Sequence, residues 1–207
     1  MSRARDFAVS AVGLFLLMPI FLLIALMIRL DSPGPVFFRQ TRVGLYGRPF
    51  LIHKFRTMRV GAAGPAVSTA TDSRITRVGM FLRRTKLDEL PQLIDVLHGA
   101  MSLVGPRPEV PHYVSLWPDD LRPIILSVRP GITDPVTVGL RSEADILAQS
   151  PDPELTYVEE LLPLKAQAYI EYIRTQSFWG DIRTILATFV AVIFPVHSAW
   201  LSEGLKQ

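Results

Sequence analysis

Residues 7–30, FAVSAVGLFLLMPIFLLIALMIRL, form an almost uninterrupted apolar run near the start of the chain. As a helix, these 24 residues would extend roughly 36 Å at about 1.5 Å per residue, enough to cross a bilayer core of about 30 Å. The run is too long for a simple buried core helix, and no small-residue cleavage site follows it, as a secretory signal would require. We therefore expect a membrane-associated helix.

Basic residues flank this run on both sides. Arg3 and Arg5 precede it, and Arg29 and the cations of residues 39–59 follow it. Because basic flanks favour the cytoplasmic face, this pattern favours a helix whose two ends lie on the same face. Pro19, near the midpoint, removes a backbone hydrogen bond and predicts a kink. A re-entrant helix bent at Pro19 satisfies both observations; a membrane span and a soluble helix are the alternatives.

The overall composition limits the chemistry of the chain. Hydrophobic residues make up 49% of its 207 residues, and the mean hydropathy is +0.29, high for a soluble enzyme and low for a polytopic membrane protein. The absence of cysteine excludes disulfides, thiolate zinc sites and cysteine nucleophiles. The net charge of +3 divides into +9 over residues 1–90 and −6 over residues 91–207. The first part is therefore expected to meet anions such as phosphates or lipid headgroups, unless it is merely a solvated basic face.

The segment after the apolar run predicts a small hairpin. Residues 36–57 read as two strands joined by a glycine-bounded turn at 44–47. Alternation places Lys54 and Arg56 on one face, about 6.6 Å apart. This spacing suits the binding of a diphosphate, and it equally suits a basic strand lying along lipid headgroups.

The rest of the chain predicts a helix-rich α+β fold. Residues 74–84 have the pattern of a basic amphipathic helix on a membrane surface, and a second helix is expected over 86–99. The remaining expectations are a mobile loop at 61–72, irregular segments at 102–111 and 129–136, and a charged helix at 154–176. For a second apolar stretch at 178–196, the alternatives are packing on the membrane surface, in the core or in a homodimer.

Asp88 and Glu89 are adjacent carboxylates close to several cations. In one interpretation they are structural: Thr85 is the N-cap of the second helix, and Asp88 is the N3 acid of a T-x-x-D capping box. In the other, Asp88 is an exposed nucleophile at a helix N-terminus, which keeps its pKa low. Attack on phosphorus would then need cations around the phosphate oxygens, supplied by a divalent metal, Arg83, Lys54 and Arg56. The spacing alone leaves both interpretations open.

Other functional classes have less support in the sequence. The four histidines are scattered without an i, i+4 pair, which disfavours a histidine metal site. No known nucleic-acid-binding module is recognisable, so nucleic acid is not an expected partner. A non-catalytic membrane-anchored scaffold remains the main alternative to an enzyme.

Several motifs together resemble those of the bacterial sugar transferases, the small monotopic phosphoglycosyl transferases. The similarity covers roughly residues 7–140. The chain most resembles the minimal catalytic version of the family. The motifs are, in chain order, GPVFFRQTRVG, GRPFLIHKFRTM, RITRVGMFLRRTKLDELPQL, MSLVGPRP and RPGIT.

The resemblance implies an enzyme on the cytoplasmic face of the bacterial plasma membrane. It would have a re-entrant membrane helix over residues 1–35 and a catalytic domain over residues 36–207. It would transfer a sugar 1-phosphate from a UDP-sugar to polyprenyl phosphate, with undecaprenyl phosphate as the acceptor that the family implies, and release UMP. Such a transfer initiates glycoconjugate or exopolysaccharide assembly. Donor, lipid acceptor and phospholipid membrane are thus the implied partners.

The resemblance also implies roles for individual residues. Asp88 matches the family nucleophile that forms a covalent phosphosugar intermediate. Glu89 matches its partner, proposed to assist proton transfer and to position Mg²⁺, the expected cofactor, so that both acids are expected metal ligands. The matched positions expected to bind substrate are Lys54, Arg56, Arg83, Pro106, Arg107 and Pro108.

Three features depart from the family pattern. Met18 stands before Pro19 where serine is common, and methionine cannot hydrogen-bond a carbonyl that the proline leaves unpaired. Ala100 stands where many relatives carry an acid. GITDPVTVGLRSE, at residues 131–143, replaces a common GITGxAQV pattern and is expected to affect the sugar pocket or to mark a subfamily.

Overall fold

The N-terminal apolar run forms one helix, α1 (Arg3–Asp31), in the computed structural model of the chain. The structure describes residues 3–62, 64, 68, 72–134 and 143–193. Most of the loop expected at 61–72, residues 135–142 of the divergent segment and the end of the stretch at 178–196 lie outside these residues. Helical residues continue on both sides of Pro19. A re-entrant bend therefore stays a prediction.

The remaining elements are short and confirm the predicted α+β class. The order is β1 (Phe37–Val43), β2 (Pro49–Phe55), α2 (Arg77–Arg84), a 3₁₀ turn (Leu87–Glu89), α3 (Gln92–His98), β3 (Ser102–Val104), α4 (Pro111–Ser115), α5 (Arg122–Ile125), β4 (Gly131–Thr133), α6 (Glu143–Gln149), α7 (Pro153–Thr156), a π-helical turn (Tyr157–Leu161), α8 (Leu162–Thr175) and α9 (Phe178–Ile193). Strands β1 and β2 form the expected antiparallel hairpin, with Arg39 opposite His53.

Helix α1 packs on the rest of the protein along one side only. Its buried side chains are Asp6, Ser10, Phe21, Ile24 and Ile28, and the last three share a core cluster with Phe55 and Leu82. Large apolar side chains cover its other side, with Phe15 79% exposed and Leu30 78% exposed. By length and composition, α1 could cross a membrane. A continuous apolar surface of this kind is typical of contact with lipid.

Polar contacts join both ends of α1 to the same body of the protein. Near its start, Ser102 Oγ donates to Asp6 Oδ2 at 2.6 Å, and Arg3 Nη2 donates to the Leu97 carbonyl at 2.7 Å. At its end, Asp31 Oδ2 accepts from the Val78 amide at 3.0 Å. The helix therefore lies lengthwise on the rest of the described chain instead of projecting from it.

A short parallel pair, β3 with β4, corrects the expectation of irregular structure over 102–111 and 129–136. Ser102 pairs with Gly131 and Val104 with Thr133. The two backbones can approach because Gly131 has no side chain: a Cβ at this position would lie 2.1 Å from the Gly105 nitrogen. The many prolines concealed this pairing from pattern analysis, since proline is poorly suited to a strand interior.

Gly79 lets α2 contact the end of the hairpin. A Cβ at Gly79 would lie 2.0 Å from the Thr57 carbonyl oxygen, an impossible contact, whereas one at Gly13 in α1 would meet Leu93 at an ordinary 3.5 Å. We expect Gly79→Ala to lower the free energy of unfolding by about 2 kcal/mol, although alanine is the better helix former.

The matched control for this prediction is Gly13→Ala, which is expected to be neutral or slightly stabilising. Thermal unfolding of both variants in detergent measures the difference. Equal unfolding temperatures for the two variants would contradict the close approach of α2 to Thr57.

Candidate active site

The acid pair lies at a corner between two helices. Thr85 is the C-terminal cap of α2, and its hydroxyl donates to the carbonyls of Phe81 and Leu82 at 2.9 and 3.2 Å. The predicted capping box of Thr85 and Asp88 is therefore wrong, because the Thr85 hydroxyl satisfies the end of one helix and not the start of the next. Lys86 follows in the left-handed region, with φ 56°, and redirects the chain into the 3₁₀ turn.

The second helix is also shorter than the predicted range of 86–99. After the 3₁₀ turn, Pro91 is the N-cap of α3, which runs from Gln92 to His98. Proline has no N–H to continue a preceding helical turn, so the chain starts a new helix at this point. The Asp-Glu pair thus occupies a separate short turn between α2 and α3.

Asp88 is buried in this turn, with 8% of its surface exposed. Among the described residues, its Oδ1 atom has no hydrogen-bond partner. Burial, followed by the like charge of Glu89, raises the pKa of the Asp88 carboxyl above its ordinary value. The expectation of an exposed carboxylate with a low pKa is therefore wrong, because the acid is removed from water and stands beside a second acid.

Glu89 is the more strongly stabilised carboxylate of the pair. Its Oε1 atom accepts from Lys54 Nζ at 2.8 Å and from Arg107 Nη2 at 2.5 Å, and its Oε2 accepts from Arg107 Nη1 at 3.2 Å. Burial alone would raise the pKa of Glu89, but Arg107 and then Lys54 outweigh it and hold this pKa well below its usual range. Glu89 is therefore ionised at neutral pH, with both oxygens engaged.

The two neighbouring acids consequently differ in their chemistry. Glu89 is held between two cations, whereas Asp88 has an oxygen with no partner. Opposed pKa shifts in adjacent groups are typical of sites that assign different roles to similar side chains. The arrangement leaves Asp88 as the carboxylate whose oxygen is buried without a partner among the described residues, which makes it the candidate for a new bond.

Arg83 also lies near the acid pair, on the side of the hairpin end. Its Nε donates to Thr57 Oγ1 at 3.0 Å, and its Nη1 donates to Ser68 Oγ at 3.0 Å. Burial lowers the pKa of the Arg83 guanidinium, and Asp88 is the carboxylate that opposes this shift most strongly. The structure thus places Arg83 in the electrostatic surroundings of Asp88, while its described hydrogen bonds go to Thr57 and Ser68.

Arg56 contacts a different part of the protein. Its guanidinium is buried and donates to the carbonyls of Pro33 at 2.6 Å, Ser32 at 2.8 Å and Ile28 at 3.4 Å, at the end of α1. Lys54 instead reaches Glu89, so the expected pairing of these two cations around one diphosphate is not formed in this arrangement. These contacts give Arg56 a structural role, and substrate binding by Arg56 stays a prediction.

The Pro106–Pro108 segment brings Arg107 to the acid pair. The Pro106 carbonyl accepts from the Gly131 amide at 2.9 Å, and the Pro108 carbonyl accepts from Arg42 Nη1 at 3.0 Å. Each proline also restricts the backbone of the residue before it. The backbone of Arg107 is therefore restrained, and both terminal nitrogens of its guanidinium donate to the Glu89 carboxylate.

Comparison with known proteins identifies the family of the chain. The sequence profile described as bacterial sugar transferase matches residues 1–195 of the chain. The chain belongs to the bacterial sugar transferase family.

Relatives of this bacterial sugar transferase include two proteins named UDP-glucose:undecaprenyl-phosphate glucose-1-phosphate transferase. The one from Escherichia coli (strain K12) is 41% identical over 193 residues, which cover 91% of this chain and 39% of the relative. The one from Caulobacter vibrioides is 40% identical over 205 residues, which cover 92% of this chain and 69% of the relative.

A third relative carries a different sugar in its name. The UDP-N-acetylgalactosamine-undecaprenyl-phosphate N-acetylgalactosaminephosphotransferase of Aeromonas hydrophila is 34% identical over 198 residues, covering 92% of this chain and 43% of the relative. The chain thus spans about two fifths of the length of the Escherichia coli and Aeromonas relatives.

The acid pair of this family member fits a weakly held Mg²⁺ better than a fully protein-coordinated metal. Within the described ranges, no group of three or more acidic or histidine side chains is placed to hold a metal. Mg²⁺ commonly uses one or two carboxylates and completes its coordination with water and substrate phosphates. The unpartnered Oδ1 of Asp88 is an oxygen of the required kind.

A buried charged network behind Arg107 was not found by sequence analysis. It joins Glu109 to Lys165, Tyr157 and Arg42, and Lys165 also contacts Glu143. Glu109 directly follows the Pro-Arg-Pro motif, but its partners lie 48 and 56 residues further along the chain. No local pattern signals contacts over such separations.

A separate cleft of about 540 Å³ lies beside β2 and α3. His53 contributes to it, and its Nδ1 is 2.6 Å from Asp95 Oδ1, while its backbone amide donates to Asp95 Oδ2 at 2.9 Å. Arg39, His98 and Ala100 also line the cleft, but neither member of the acid pair does. The His53–Asp95 contact joins the hairpin to α3, so it helps to hold Lys54 opposite Glu89.

Proposed function

We propose that this bacterial sugar transferase moves a sugar 1-phosphate from a UDP-sugar to polyprenyl phosphate and releases UMP. The observation that carries the proposal is the buried Asp88 carboxylate, with one unpartnered oxygen, beside Glu89 and its two cations. The names of the relatives support this substrate class, since they combine UDP-sugar donors with undecaprenyl phosphate.

The proposed reaction has two displacements at the same phosphorus atom. In the first, an Asp88 oxygen bonds to the β-phosphorus of the donor, and the bond from this phosphorus to the bridging oxygen breaks. The bridging oxygen leaves with the α-phosphate as UMP. In the second, an oxygen of polyprenyl phosphate bonds to the phosphorus and the bond to Asp88 breaks, which restores the carboxylate.

Cations around the acid pair compensate the charge of the phosphates. Arg107 provides two parallel N–H donors, a geometry suited to phosphate, and Lys54 provides a compact charge. Glu89 holds both in place before the donor arrives. With its pKa well below the usual range, Glu89 in this arrangement positions cations and is a poor carrier of a proton.

Asp88 would hold Mg²⁺ through its unpartnered Oδ1, whereas both oxygens of Glu89 are engaged by Lys54 and Arg107, so metal binding by Glu89 stays a prediction. When bound, Mg²⁺ would supply positive charge to the phosphate oxygens and so stabilise charge that develops during phosphoryl transfer. The backbone restraint on Arg107 and the burial of Asp88 keep the groups of this chain ordered around that region.

We further propose that α1 is embedded from the cytoplasmic side, with both ends on that side. The support is that Asp6 at one end and Asp31 at the other both bond to the same body of the protein. A helix that crossed the membrane would separate these two attachment points by a bilayer. The exposed apolar side of α1 would then face lipid, close to the acceptor.

Cysteine labelling tests this topology, because the chain has no native cysteine. We expect Ala4→Cys and Arg48→Cys, both at exposed positions, to react with a membrane-impermeant maleimide in inside-out vesicles. Leu22→Cys, on the lipid-facing side of α1, is the control and should be protected until detergent is added. Reaction of Ala4→Cys only from the opposite side of the membrane would show a span.

The activity itself is tested with purified protein, Mg²⁺, undecaprenyl phosphate and a panel of UDP-sugars, with UMP as the product measured. UDP-glucose and UDP-N-acetylgalactosamine come first, because both sugars occur in the names of the relatives. Omission of the lipid and addition of a chelator are the controls. Failure of every donor in a broad panel to give UMP would overturn the proposed function.

A further inference from the structure

We propose that Glu109 is a positioning residue for the transfer reaction, acting through Arg42 and the Pro108 carbonyl to orient Arg107. The inference rests on the proposed function and deepens it, since Arg107 is one of the cations expected to meet the donor. Glu109 itself is buried, and it does not need to contact substrate to act in this way.

The first step concerns how Glu109 is held. Its Oε1 accepts from Tyr157 at 2.7 Å and from Lys165 Nζ at 3.0 Å. All three residues are buried, with exposures of 3 to 4%. Lys165 Nζ also lies 4.9 Å from the centre of the Tyr157 ring. The carboxylate therefore has a single well-defined position.

The next step concerns what Glu109 holds. Its Oε2 lies 3.7 Å from Arg42 Nη1, the same nitrogen that donates to the Pro108 carbonyl at 3.0 Å. The Glu109 carbonyl also accepts from the Val43 amide at 3.0 Å. Arg42, near the end of β1, thus contacts the backbone on the C-terminal side of Arg107. Its Nη2 also donates to Gln40 Oε1 at 2.7 Å, and Glu109 supplies the paired carboxylate charge.

An independent observation comes from the helix that carries Tyr157. Residues Tyr157–Leu161 form a π-helical turn between α7 and α8. Such turns are rare and occur frequently at functional sites. Here the turn begins at the residue whose hydroxyl reaches Glu109.

The free energy of burying charged groups argues that the network around Glu109 does more than stabilise the fold. Burying charged groups carries a large desolvation cost, and well-packed apolar residues often stabilise a core as well as a buried ion pair does. This network nevertheless directly adjoins the Pro106–Pro108 segment, from which the Arg107 guanidinium donates to Glu89. Removing Glu109 would leave Arg42 without its carboxylate partner. The hydrogen bond from Arg42 to the Pro108 carbonyl would then weaken, and Arg107 would shift. Displacements of about 1 Å at such sites can reduce rates by about 100-fold.

The test compares Glu109→Gln, Lys165→Met and the double variant Glu109→Gln/Lys165→Met with wild type. The double variant removes one negative and one positive group, so it keeps the net charge of the network. It should recover most of the thermal stability that Lys165→Met alone loses. We expect kcat/KM for UMP release to stay about 100-fold below wild type, and the KM for the UDP-sugar to rise about tenfold.

The KM separates a positioning role from a structural one. A merely destabilised enzyme has fewer active molecules, which lowers kcat and leaves KM unchanged. Glu154→Gln is the matched control: it removes another carboxylate that accepts from a tyrosine of the same core, Tyr113, at 2.7 Å. Its kcat and KM should stay within twofold of wild type.

The affinity for UDP in the presence of Mg²⁺, measured by calorimetry, tests the role of Glu109 without requiring catalytic turnover. We expect about tenfold weaker binding in the double variant and no change in Glu154→Gln. Wild-type binding and kinetics in the double variant would overturn the role of Glu109, and so would a loss of kcat that tracks the folded fraction at constant KM. If wild type binds UDP but releases no UMP, the proposed function fails while the positioning role is still decided by binding. If wild type does neither, both fail.

Discussion

Replacement of Asp88 by asparagine is expected to reduce UMP release by a factor of at least about 10⁴, because an amide cannot form the phosphorus bond of the first step. The fold should survive this change. Burial and Glu89 raise the pKa of Asp88 in the folded protein, so at neutral pH the ionised carboxylate destabilises the native state. We therefore expect Asp88→Asn to unfold at the same temperature as wild type or above it, in buffer that contains a chelator.

Covalent labelling provides a second measurement for the same variant. Incubation with labelled donor alone should attach phosphosugar to wild type at Asp88 and leave Asp88→Asn unlabelled. Asp88→Glu is the matched variant, since it keeps the carboxylate and moves it by one methylene. Activity of Asp88→Asn within tenfold of wild type, or persistent labelling at another residue, would rule out Asp88 as the nucleophile.

Replacement of Glu89 by glutamine is expected to affect stability and activity together. Lys54 and Arg107 would remain partly buried without their shared carboxylate, and breaking a buried pair in this way costs about 3 kcal/mol. The pKa of Glu89 is lowered in the fold, so its contribution to stability is present above the ordinary glutamate pKa and is lost as the pH falls through the lowered value. The destabilisation caused by Glu89→Gln should therefore shrink in strong acid.

We expect the same variant to lower kcat/KM for UMP release by about 100-fold or more, because both cations lose the group that orients them. Asp119→Asn is the control for stability: Asp119 pairs with Arg122 at 2.9 Å, but its side chain is 93% exposed. Exposed pairs contribute little, so this change should cost less than about 1 kcal/mol. Equal thermal unfolding curves for Glu89→Gln and Asp119→Asn would contradict the charge arrangement described above.

Local patterns predicted the first elements of the fold well but missed the β3–β4 pair. The apolar run at 7–30 and the alternating strands at 36–57 have strong periodic signals, and they correspond to α1 and to the β1–β2 hairpin. The same reasoning failed at Thr85, because a threonine can cap either end of a helix and only the left-handed Lys86 decides between them. A lysine in the left-handed backbone conformation cannot be recognised reliably from the sequence.

Long-range contacts account for most of what the sequence could not predict about the site. Alternation placed Lys54 and Arg56 on one face, but it could not show that the end of α1 supplies unpaired carbonyls for Arg56. The burial of Asp88 depends likewise on packing between distant segments. Motif resemblance named Arg107 as a substrate contact, and only the structure shows that its fork meets Glu89.

The contact between Asp6 and Ser102 has a consequence for the biosynthesis of the protein. The two residues are separated by 96 positions, which a ribosome that adds about 5–20 residues per second needs roughly 5 to 20 s to translate. During this interval, α1 already exists with its carboxylate uncovered, and it can reach the lipid before its docking surface has been made. In the proposed topology, insertion of the helix and closure of the native core are therefore separate events in time, and a chain stalled before residue 102 would leave α1 without the Ser102 partner of Asp6.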